Sequence, residues 1–571
     1  MAALVHTRLS ILDRSDAGRQ PMGIAEHGVG GEPRWWITFN GEIYNFRELR
    51  CELADAGVVF RSQSDTEVIL RLFERDGPGC VNRLRGMFAF AIWDEVEQSL
   101  FVARDAFGVK PLYYAETEAG FVFASEVRAL LAGDMVARQL EPEALLGYFL
   151  YGSVPEPLTL VRGVQVLPPA HWLRWSRGRV EKRAYWSWEF SAGAMSSRDA
   201  VQVVRESLID SVRHHFISDV PVGLFLSGGI DSTALLALSH LAGFRHVPTF
   251  CIRFADAHFD EGLVAETTAR YFNSEHKDWV VDGATGRGLF AEFLEAMDQP
   301  SIDGFNTFTV SRLASQAGMK VVLSGLGGDE MFGGYPSFQR IPEMMRWSQR
   351  MEFSPALRRM AGGVLGTLRS GRMRRLGGFL KMEPSLRGAH RAFRGVFAWE
   401  DAVRLVRATC GEDACGEDAC GAGVALGVEP RQPTMEDGVA QLEIELYLRN
   451  QLLRDSDVMS MASGLELRVP MVDRRLMEVL LPIRSEVRVG RGKQLLLDAL
   501  PEIPAWVREQ PKRGFLFPFE EWLHGDWHDV FVQSSANAVV PVNSWFQKWS
   551  LFVLAQVCRR MGLGEVGGGR N

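Results

Sequence analysis

Cysteines are few in this sequence, and no run of apolar residues is long enough to cross a bilayer. Seven cysteines are scattered through 571 residues, and this small, odd number disfavours a disulfide framework. A membrane-spanning helix needs about 18 consecutive apolar residues. The N-terminus reaches the charged Arg8 before an apolar signal-peptide core develops. We therefore expect a cytoplasmic protein with no membrane partner.

An excess of basic residues is also missing. Lys and Arg number 63 against 71 Asp and Glu, which gives a net charge of −8. Proteins that bind nucleic acids usually show a strong basic excess, so no nucleic-acid partner is expected. Hydrophobic residues make up 46% of the chain and charged residues 23%, values typical of a globular protein with a large core.

The order of the predicted elements indicates two domains of different class. The first third mixes short strands with helices; a strand at residues 35–39, for example, ends at the turn pair Asn40-Gly41. From about residue 196 strands and helices alternate, which indicates a parallel sheet covered by helices, and from about residue 338 the pattern is mainly helical. We predict an α+β domain at 1–190, an α/β domain at 196–535 and a C-terminal tail at 536–571.

A short tandem repeat, Cys-Gly-Glu-Asp-Ala, lies between Cys410 and Cys420, with Cys415 between them. Cysteines five residues apart do not match the close-paired spacing of zinc sites. The acidic and glycine-rich composition predicts an exposed loop, and metal binding is the less favoured alternative.

The strongest local signal is Leu-Ser-Gly-Gly-Ile-Asp-Ser at residues 226–232, where an apolar strand runs directly into a glycine-rich turn and a helix. Such a turn presents backbone N–H groups and the positive end of a helix dipole to an anion, and glycine allows close approach. An ordinary strand–helix turn is the alternative for Ser-Gly-Gly alone. We predict that ATP phosphates bind at Ser227, Gly228, Gly229 and Ser232, with Asp231 holding Mg²⁺.

A second glycine-rich turn, residues 324–330, follows another predicted strand of the same sheet. It is not a dinucleotide fingerprint, because Glu330 stands where the third glycine is required. The chain also lacks the Gly-x-x-x-x-Gly-Lys-Ser/Thr phosphate loop and a Gly-x-Ser-x-Gly hydrolase elbow at these turns. Turns at the carboxyl ends of parallel strands converge, so Asp329 is predicted as a second Mg²⁺ ligand opposite Asp231.

A lysine in the loop sequence Val-Gly-Arg-Gly-Lys-Gln, Lys493, is a candidate cation for an adenylate-forming transition state. A single lysine is ordinarily a solvated surface charge, and spacing alone favours that alternative. Two carboxylates and a metal at an ATP site suit cleavage between the α- and β-phosphates, because the metal neutralises the departing pyrophosphate.

Together these segments resemble the glutamine-dependent asparagine synthetases. The shared C-terminal motifs are residues 226–232, 323–330, 332–335 and 464–470 with Asp473. The shared N-terminal motifs are residues 8–12, 40–45, 64–65, 86–90 and 104–105. The similarity extends from Met1 to about Leu523 and keeps the order of the family's motifs.

The resemblance implies an N-terminal-nucleophile-type αββα sandwich, here incomplete at its start, followed by a doubly wound parallel-sheet ATP pyrophosphatase domain with a helical C-terminal part. It implies that aspartate, ATP and glutamine or ammonia are converted to asparagine, glutamate, AMP and pyrophosphate through an acyl-adenylate, with Mg²⁺. The oligomeric state is open, with a homodimer as one alternative. By resemblance, Arg8, Leu9, Ser10, Ile11, Leu12, Asn40, Gly41, Glu42 and Asp65 bind glutamine, Asn40 and Gly41 form the oxyanion hole, Leu226, Ile252, Ser324 and Gly325 line the ATP site, and Lys493 is catalytic.

Two departures from the family pattern stand out. The family's glutaminase nucleophile is a cysteine at the mature N-terminus, and the sequence begins at the first glutamine-binding segment instead. Cys51 lies in a predicted helix and has no terminal amine to act as its base. We expect a start codon assigned too late, with loss of glutamine hydrolysis as the alternative.

The second departure is Leu326, which replaces a glutamate that the family ties to β-aspartyl-adenylate formation. Aspartate stays the leading substrate. The alternative is the same chemistry on another carboxylate, as in β-lactam synthetase-like or secondary-metabolite and polysaccharide amidotransferases. A catalytically silent binding or regulatory relative is a further alternative, which the presence of Asp231, Asp329 and Lys493 disfavours.

Overall fold

A computed structural model describes residues 2–25, 31–118, 120–191, 193, 195–256, 259–350, 354–412, 428–510, 517–525, 527–528, 531 and 538–564. The N-terminal part is built on antiparallel sheets, and the C-terminal part on a parallel sheet followed by helices. The mixed α+β and α/β class predicted from the sequence is confirmed. None of the helices in these ranges combines the length and apolar character needed to span a membrane.

Six antiparallel strands form the larger N-terminal sheet; in spatial order they are β1 (Met22–Ile24), β2 (Trp35–Ile43), β3 (Gly86–Asp94), β4 (Ser99–Arg104), β8 (His171–Ser176) and β9 (Arg179–Ala184). The smaller sheet contains β6 (Gly120–Ala124), β5 (Tyr113–Thr117) and β7 (Gln165–Val166). The helices of this part are α1 (Phe46–Asp55), α2 (Asp65–Asp76), α3 (Val127–Ala132) and α4 (Pro142–Tyr151). Apolar residues on one face bury α1 and α2 in a cluster with the larger sheet.

The turn predicted at Asn40-Gly41 is wrong, because β2 continues through both residues to its end. Gly41 pairs with Phe88 of β3. A Cβ at Gly41 would lie 2.1 Å from the carbonyl oxygen of Met87, and the φ angle of Gly41 is +141°. The glycine therefore permits close approach of two strands, a use of glycine that a turn-based interpretation does not consider.

The parallel sheet of the C-terminal part has five strands, which in spatial order are β12 (Glu275–Val280), β11 (Pro248–Arg253), β10 (Val222–Phe225), β13 (Val321–Leu323) and β14 (Glu466–Arg468). From β10 the chain adds β11 and then β12 on one side of the sheet. It then crosses back, and β13 pairs with the other side of β10. The strand order therefore reverses between β10 and β13, and open parallel sheets bind their ligands at such a point. The predicted alternation of strands and helices is confirmed, but β14 lies in a region predicted to be helical.

Helices cover the parallel sheet and form the rest of the chain. The first six are α5 (Ser197–His215), α6 (Ile230–Leu241), α7 (Gly262–Tyr271), α8 (Gly283–Ala296), α9 (Phe305–Gln316) and α10 (Gly328–Phe332). The middle set is α11 (Ser337–Arg350), α12 (Pro355–Gly366), α13 (Gly371–Lys381), α14 (Leu386–Arg394), α15 (Trp399–Cys410), α16 (Met435–Leu442) and α17 (Arg454–Met461), with a π-helical segment, Glu443–Leu453, joining the last two. The last six are α18 (Arg474–Leu480), α19 (Ser485–Arg488), α20 (Gln494–Ala499), α21 (Ala505–Arg508), α22 (Phe519–His524) and α23 (Trp545–Met561).

The final helix, α23, is part of the protein body. Trp549 is fully buried, and the hydroxyl of Tyr148 on α4 donates to the carbonyl oxygen of Ser550 at 2.8 Å. The segment predicted as a tail thus contributes core side chains, while the domain boundaries at 1–190 and 196–535 stay predictions. Cys410 ends α15, whereas Cys415 and Cys420 of the repeat lie outside the described residues.

Buried ion pairs join the N-terminal part to the parallel sheet. Arg468 of β14 is fully buried and donates to Glu42 of β2 at 2.9 Å and to its own neighbour Glu466 at 2.8 Å. Lys110 donates to Asp457 of α17 at 2.7 Å, with both side chains shielded from solvent. One hydrophobic cluster also includes side chains from both parts of the chain. The two parts therefore share a dry interface rather than a flexible linker.

We expect Arg468→Met to destabilise the protein by about 3–5 kcal/mol, because it leaves two carboxylates buried without their cation. The change should lower the midpoint of urea unfolding measured by circular dichroism. Arg270→Met is the control, since Arg270 is 75% exposed in its pair with Glu266 and such pairs contribute little. Equal midpoints for the two variants would contradict the interpretation.

Candidate active site

Two glycine-rich turns meet at the point where the strand order reverses. The first joins β10 to α6 and the second joins β13 to α10, and Leu224 pairs with Leu323 in the neighbouring strands. In the first turn the hydroxyl of Ser232 lies 2.9 Å from that of Ser227 and accepts the backbone N–H of Ser227 at 3.1 Å. The second turn is held to β14, because the N–H of Ser324 donates to the carbonyl of Arg468 at 2.9 Å. The predicted convergence of the turns is therefore present.

Lys493 connects the two turns. Its ammonium donates to a carboxylate oxygen of Asp231 and lies 2.6 Å from Oδ1 of Asp329. Lys493 is only 5% exposed. Burial acts to lower the pKa of Lys493, but the two carboxylates outweigh it and hold that pKa above its ordinary value. The ammonium is therefore charged at neutral pH. The alternative interpretation, that Lys493 is a solvated surface residue, is wrong.

The backbone of Lys493 is itself unusual. Its φ angle of +62° lies in the left-handed region, directly before α20. A residue with a side chain pays about 1–3 kcal/mol to be held there, and such positions cluster at functional sites. The strain is offset by the two ion pairs that the side chain makes in this conformation.

Glycines let the three charged side chains come together. A Cβ at Gly334 would lie 1.8 Å from Oδ1 of Asp329 and 2.2 Å from Cε of Lys493. A Cβ at Gly328 would lie 2.3 Å from Oδ1 of Asp231. Any side chain at these positions displaces a charged group of the cluster.

The residues present suit Mg²⁺. Mg²⁺ is usually held by one or two protein carboxylates together with substrate phosphates and water. Asp231 and Asp329 direct oxygens at the same ammonium, so those oxygens also lie close to each other. Across the described ranges no group of three or more His, Cys, Asp or Glu side chains forms a complete metal site. A metal at this place would therefore depend on the phosphates of the nucleotide.

The other predicted ATP-site residues surround the turns. Leu226 and Ile252 are each 1% exposed and belong to different hydrophobic clusters, so a nucleotide would meet their main chain. Gly325 packs against the start of α6, where a Cβ would lie 2.9 Å from the backbone of Asp231. Leu326 is half-buried and packs on the larger cluster. These residues stay predictions as nucleotide or substrate contacts.

The predicted glutamine-binding segment, residues 8–12, folds back on itself. Arg8 donates to the carbonyl oxygens of Leu12 and Asp13, both at 2.7 Å. The carboxylate of Asp13 accepts the backbone N–H of Gln63 at 2.7 Å, which ties the segment to the start of α2. Within the segment, Leu9 and Ser10 are half-buried and Ile11 is buried.

Asp65 begins α2 close to the predicted oxyanion residues. Its carboxylate is buried and accepts the backbone N–H of Ile43 at 3.0 Å. Burial raises the pKa of Asp65 to about 6. Ile43 is on the same strand as Asn40 and Gly41, and the side chain of Asn40 donates to Ser125 at 3.4 Å. The predicted glutamine-binding segments are thus neighbours.

Glu42 lies between Gly41 and Ile43 on β2, and its side chain makes an ion pair across the interface. The side chain is 2% exposed and its carboxylate accepts from Arg468 of the other domain. The predicted contact between Glu42 and glutamine stays a prediction. Matching a motif residue by residue does not reveal the ion pair between Glu42 and Arg468, because the two residues are distant in sequence.

Sequence reasoning missed three residues of this region. Glu261 contacts the first turn from the start of α7, Gly334 makes room for the charged cluster, and Arg468 links β14 to β2. Gly334 and Arg468 both lie in motifs that the sequence singled out, so their positions were marked without their roles. No local signal marks Glu261.

Comparisons with known proteins agree with this arrangement. The glutamine amidotransferase domain matches residues 1–186, and asparagine synthase matches residues 203–551. Fold and site thus define an amidotransferase joined to a nucleotide-binding synthetase. The chain belongs to the asparagine synthetase family.

Individual relatives cover most of the chain. Asparagine synthetase [glutamine-hydrolyzing] 1 of Bacillus subtilis is 31% identical over 93% of this chain and 83% of that protein. A putative asparagine synthetase [glutamine-hydrolyzing] of Mycobacterium tuberculosis is 36% identical over 92% of this chain and 82% of that protein. Among solved structures, the allosteric regulatory enzyme of purine biosynthesis aligns over 57% of this chain and 59% of that chain at 14% identity; the TM-score of 0.23 is too low to support an inference.

We expect Gly334→Ala to lower adenylate-forming activity roughly 100-fold, because misplacing reacting groups by about 1 Å has effects of that size. The new methyl group would collide with Asp329 and Lys493. The measurement is ATP–pyrophosphate exchange by the purified protein. Gly288→Ala on α8 is the control, since nothing lies within 4 Å of a Cβ there. Full exchange activity in the Gly334 variant would contradict the assigned geometry.

Proposed function

We propose that this protein is an ATP-dependent ligase that converts aspartate to asparagine through an acyl-adenylate, with glutamine as the nitrogen donor. The observation that carries the proposal is the buried Lys493 between Asp231 and Asp329, where two phosphate-binding turns meet. The membership of the family and the names of the relatives support the substrates. A silent relative would have no reason to keep a strained, buried lysine at this place.

Nucleotide binding follows from the first turn. The N-terminus of α6, directly after the turn, gives a positive partial charge that suits the phosphates of ATP. Leu226 and Ile252, both buried, would contact the nucleotide through their main chain. Mg²⁺, held by Asp231 and Asp329 together with the phosphates, would neutralise negative charge on the departing pyrophosphate.

Adenylation is a displacement at the α-phosphorus. An oxygen of the substrate carboxylate attacks this atom, the bond to the bridging oxygen of the β-phosphate breaks, and pyrophosphate leaves with the bonding electrons. The Lys493 ammonium is charged throughout, so its role is to stabilise negative charge in the transition state rather than to move a proton. Ammonia then attacks the acyl carbon, a proton is lost, and AMP leaves as asparagine forms.

With a nucleophilic cysteine at its mature N-terminus, as the family has, the N-terminal domain would supply the ammonia. By resemblance to the family, Arg8 and Asp65 would hold the α-carboxylate and α-ammonium groups of glutamine, and Asn40 and Gly41 on β2 would supply the oxyanion donors. Buried ion pairs hold the two domains against each other. We propose that the protein acts in the cytoplasm, where ATP, glutamine and aspartate are all present.

Asp231→Asn and Asp329→Asn should each reduce aspartate-dependent exchange of labelled pyrophosphate into ATP by at least about 100-fold. Each change removes a charge from the cluster while keeping the shape of the side chain. Thermal unfolding would verify that both variants are folded. Asp498→Asn, on the exposed face of α20, is the control. Wild-type exchange in either cluster variant would remove the metal and lysine assignments.

Leu326→Glu should keep aspartate-dependent exchange and raise kcat/KM for aspartate up to roughly tenfold. The reason is that a carboxylate pairs with the ammonium of aspartate, and charge-assisted hydrogen bonds are the stronger kind. Exchange is measured without a nitrogen donor, because adenylation precedes the attack of ammonia and so does not depend on the glutaminase. Loss of activity in the variant, combined with no aspartate turnover by the unmodified chain, would instead favour a larger or less polar carboxylate.

A further inference from the structure

A carboxylate from outside the turn already occupies part of the predicted phosphate site. The backbone N–H of Gly228 donates to Oε2 of Glu261 at 3.1 Å. Glu261 lies immediately before α7, more than 30 residues beyond the turn. The neighbouring N–H of Gly229 donates instead to the hydroxyl of Ser227 at 3.2 Å. The Gly228 N–H is therefore already matched with an anion.

The contact is close packing as well as a hydrogen bond. A Cβ at Gly228 would lie 3.3 Å from the Cβ atoms of both Glu261 and Val264 and 3.5 Å from Oε2 of Glu261. The start of α7 therefore lies directly against the turn, and even a methyl group at Gly228 would be in tight contact with it. A phosphate oxygen that takes the Gly228 N–H must replace the carboxylate of Glu261.

The main chain around Glu261 is fixed. Asp260 pairs with Arg253, at the end of β11, at 2.9 Å and also accepts the N–H of Gly262 at 3.0 Å. A Cβ at Gly262 would lie 2.3 Å from Nε of Arg253, so the helix start is packed tightly on the strand end. Movement of Glu261 away from the turn is therefore a side-chain rotation, after which its negative charge stays near the bound phosphates.

We propose that Glu261 is a built-in competitor of the nucleotide phosphates, which sets the affinity of the site for ATP and for the product pyrophosphate. With no nucleotide bound, its carboxylate satisfies the Gly228 N–H and keeps the turn in its anion-binding conformation. When phosphate binds, the displaced carboxylate of Glu261 repels it and lowers the affinity of the turn for phosphate. The inference rests on the proposed function in one respect, that this turn binds phosphate.

The test is isothermal titration calorimetry of the 571-residue protein with Mg²⁺-pyrophosphate and with Mg²⁺-ATP. We expect Glu261→Gln to lower the Kd for pyrophosphate roughly tenfold, because two like charges a few ångströms apart near a protein surface repel by amounts of that order. Glu261→Ala should tighten binding in the same direction, since it also removes the charge. The Ala variant keeps the test valid if the Gln variant folds poorly.

Glu266→Gln is the matched control. Glu266 is on the same helix, pairs with Arg270 on the surface and makes no contact with the turn in the described part of the chain. Unchanged or weaker pyrophosphate binding in both Glu261 variants, with normal exchange activity in the unmodified protein, would overturn this inference alone. Failure of the unmodified protein and of every variant to bind ATP or pyrophosphate would overturn the proposed function as well.

Discussion

The attraction between one buried ammonium and two carboxylates is the constraint on which the arrangement of the synthetase site depends. Lys493 comes from a loop near the C-terminal end of the domain, whereas Asp231 and Asp329 begin helices after neighbouring strands. Burying any one of these charges alone would be costly, and together they compensate one another. The strained backbone of the lysine and the missing Cβ atoms at Gly328 and Gly334 are the conditions under which the three groups meet.

Much of the fold was predictable because its elements have strong local patterns. Strands β10, β11 and β13 are short apolar runs separated by helical segments, a pattern that predicts strand–helix alternation. The edge strand β14 was not predictable, since two of its three residues, Glu466 and Arg468, are charged, and its strand geometry comes from pairing with β13. The false turn at Asn40-Gly41 has the same cause: its extended backbone is imposed by β3, and tertiary pairing overrode the local turn signal.

The residues of the candidate site also differ in how far the sequence could predict them. Residues whose role lies in backbone shape, such as the glycines of the first turn, could be found from a motif alone. Residues whose role depends on a partner could not, because the partner is distant in sequence. Lys493 was distinguishable from a surface lysine only by resemblance to the family. The sequence associated Glu42 with glutamine and did not reveal its ion pair with Arg468. Glu261 had no signal at all, since a glutamate before a helix is ordinary.

The late position of β14 in the chain has a consequence for biosynthesis. Domains generally fold as units while the ribosome is still adding residues. The N-terminal sheet leaves the ribosome with Glu42 facing a partner that is not yet made, because Arg468 follows it by 426 residues. The parallel sheet likewise waits for its edge strand, and Lys493 is translated later still. The interface of the amidotransferase domain is therefore exposed to chaperones and proteases until most of the chain has been translated.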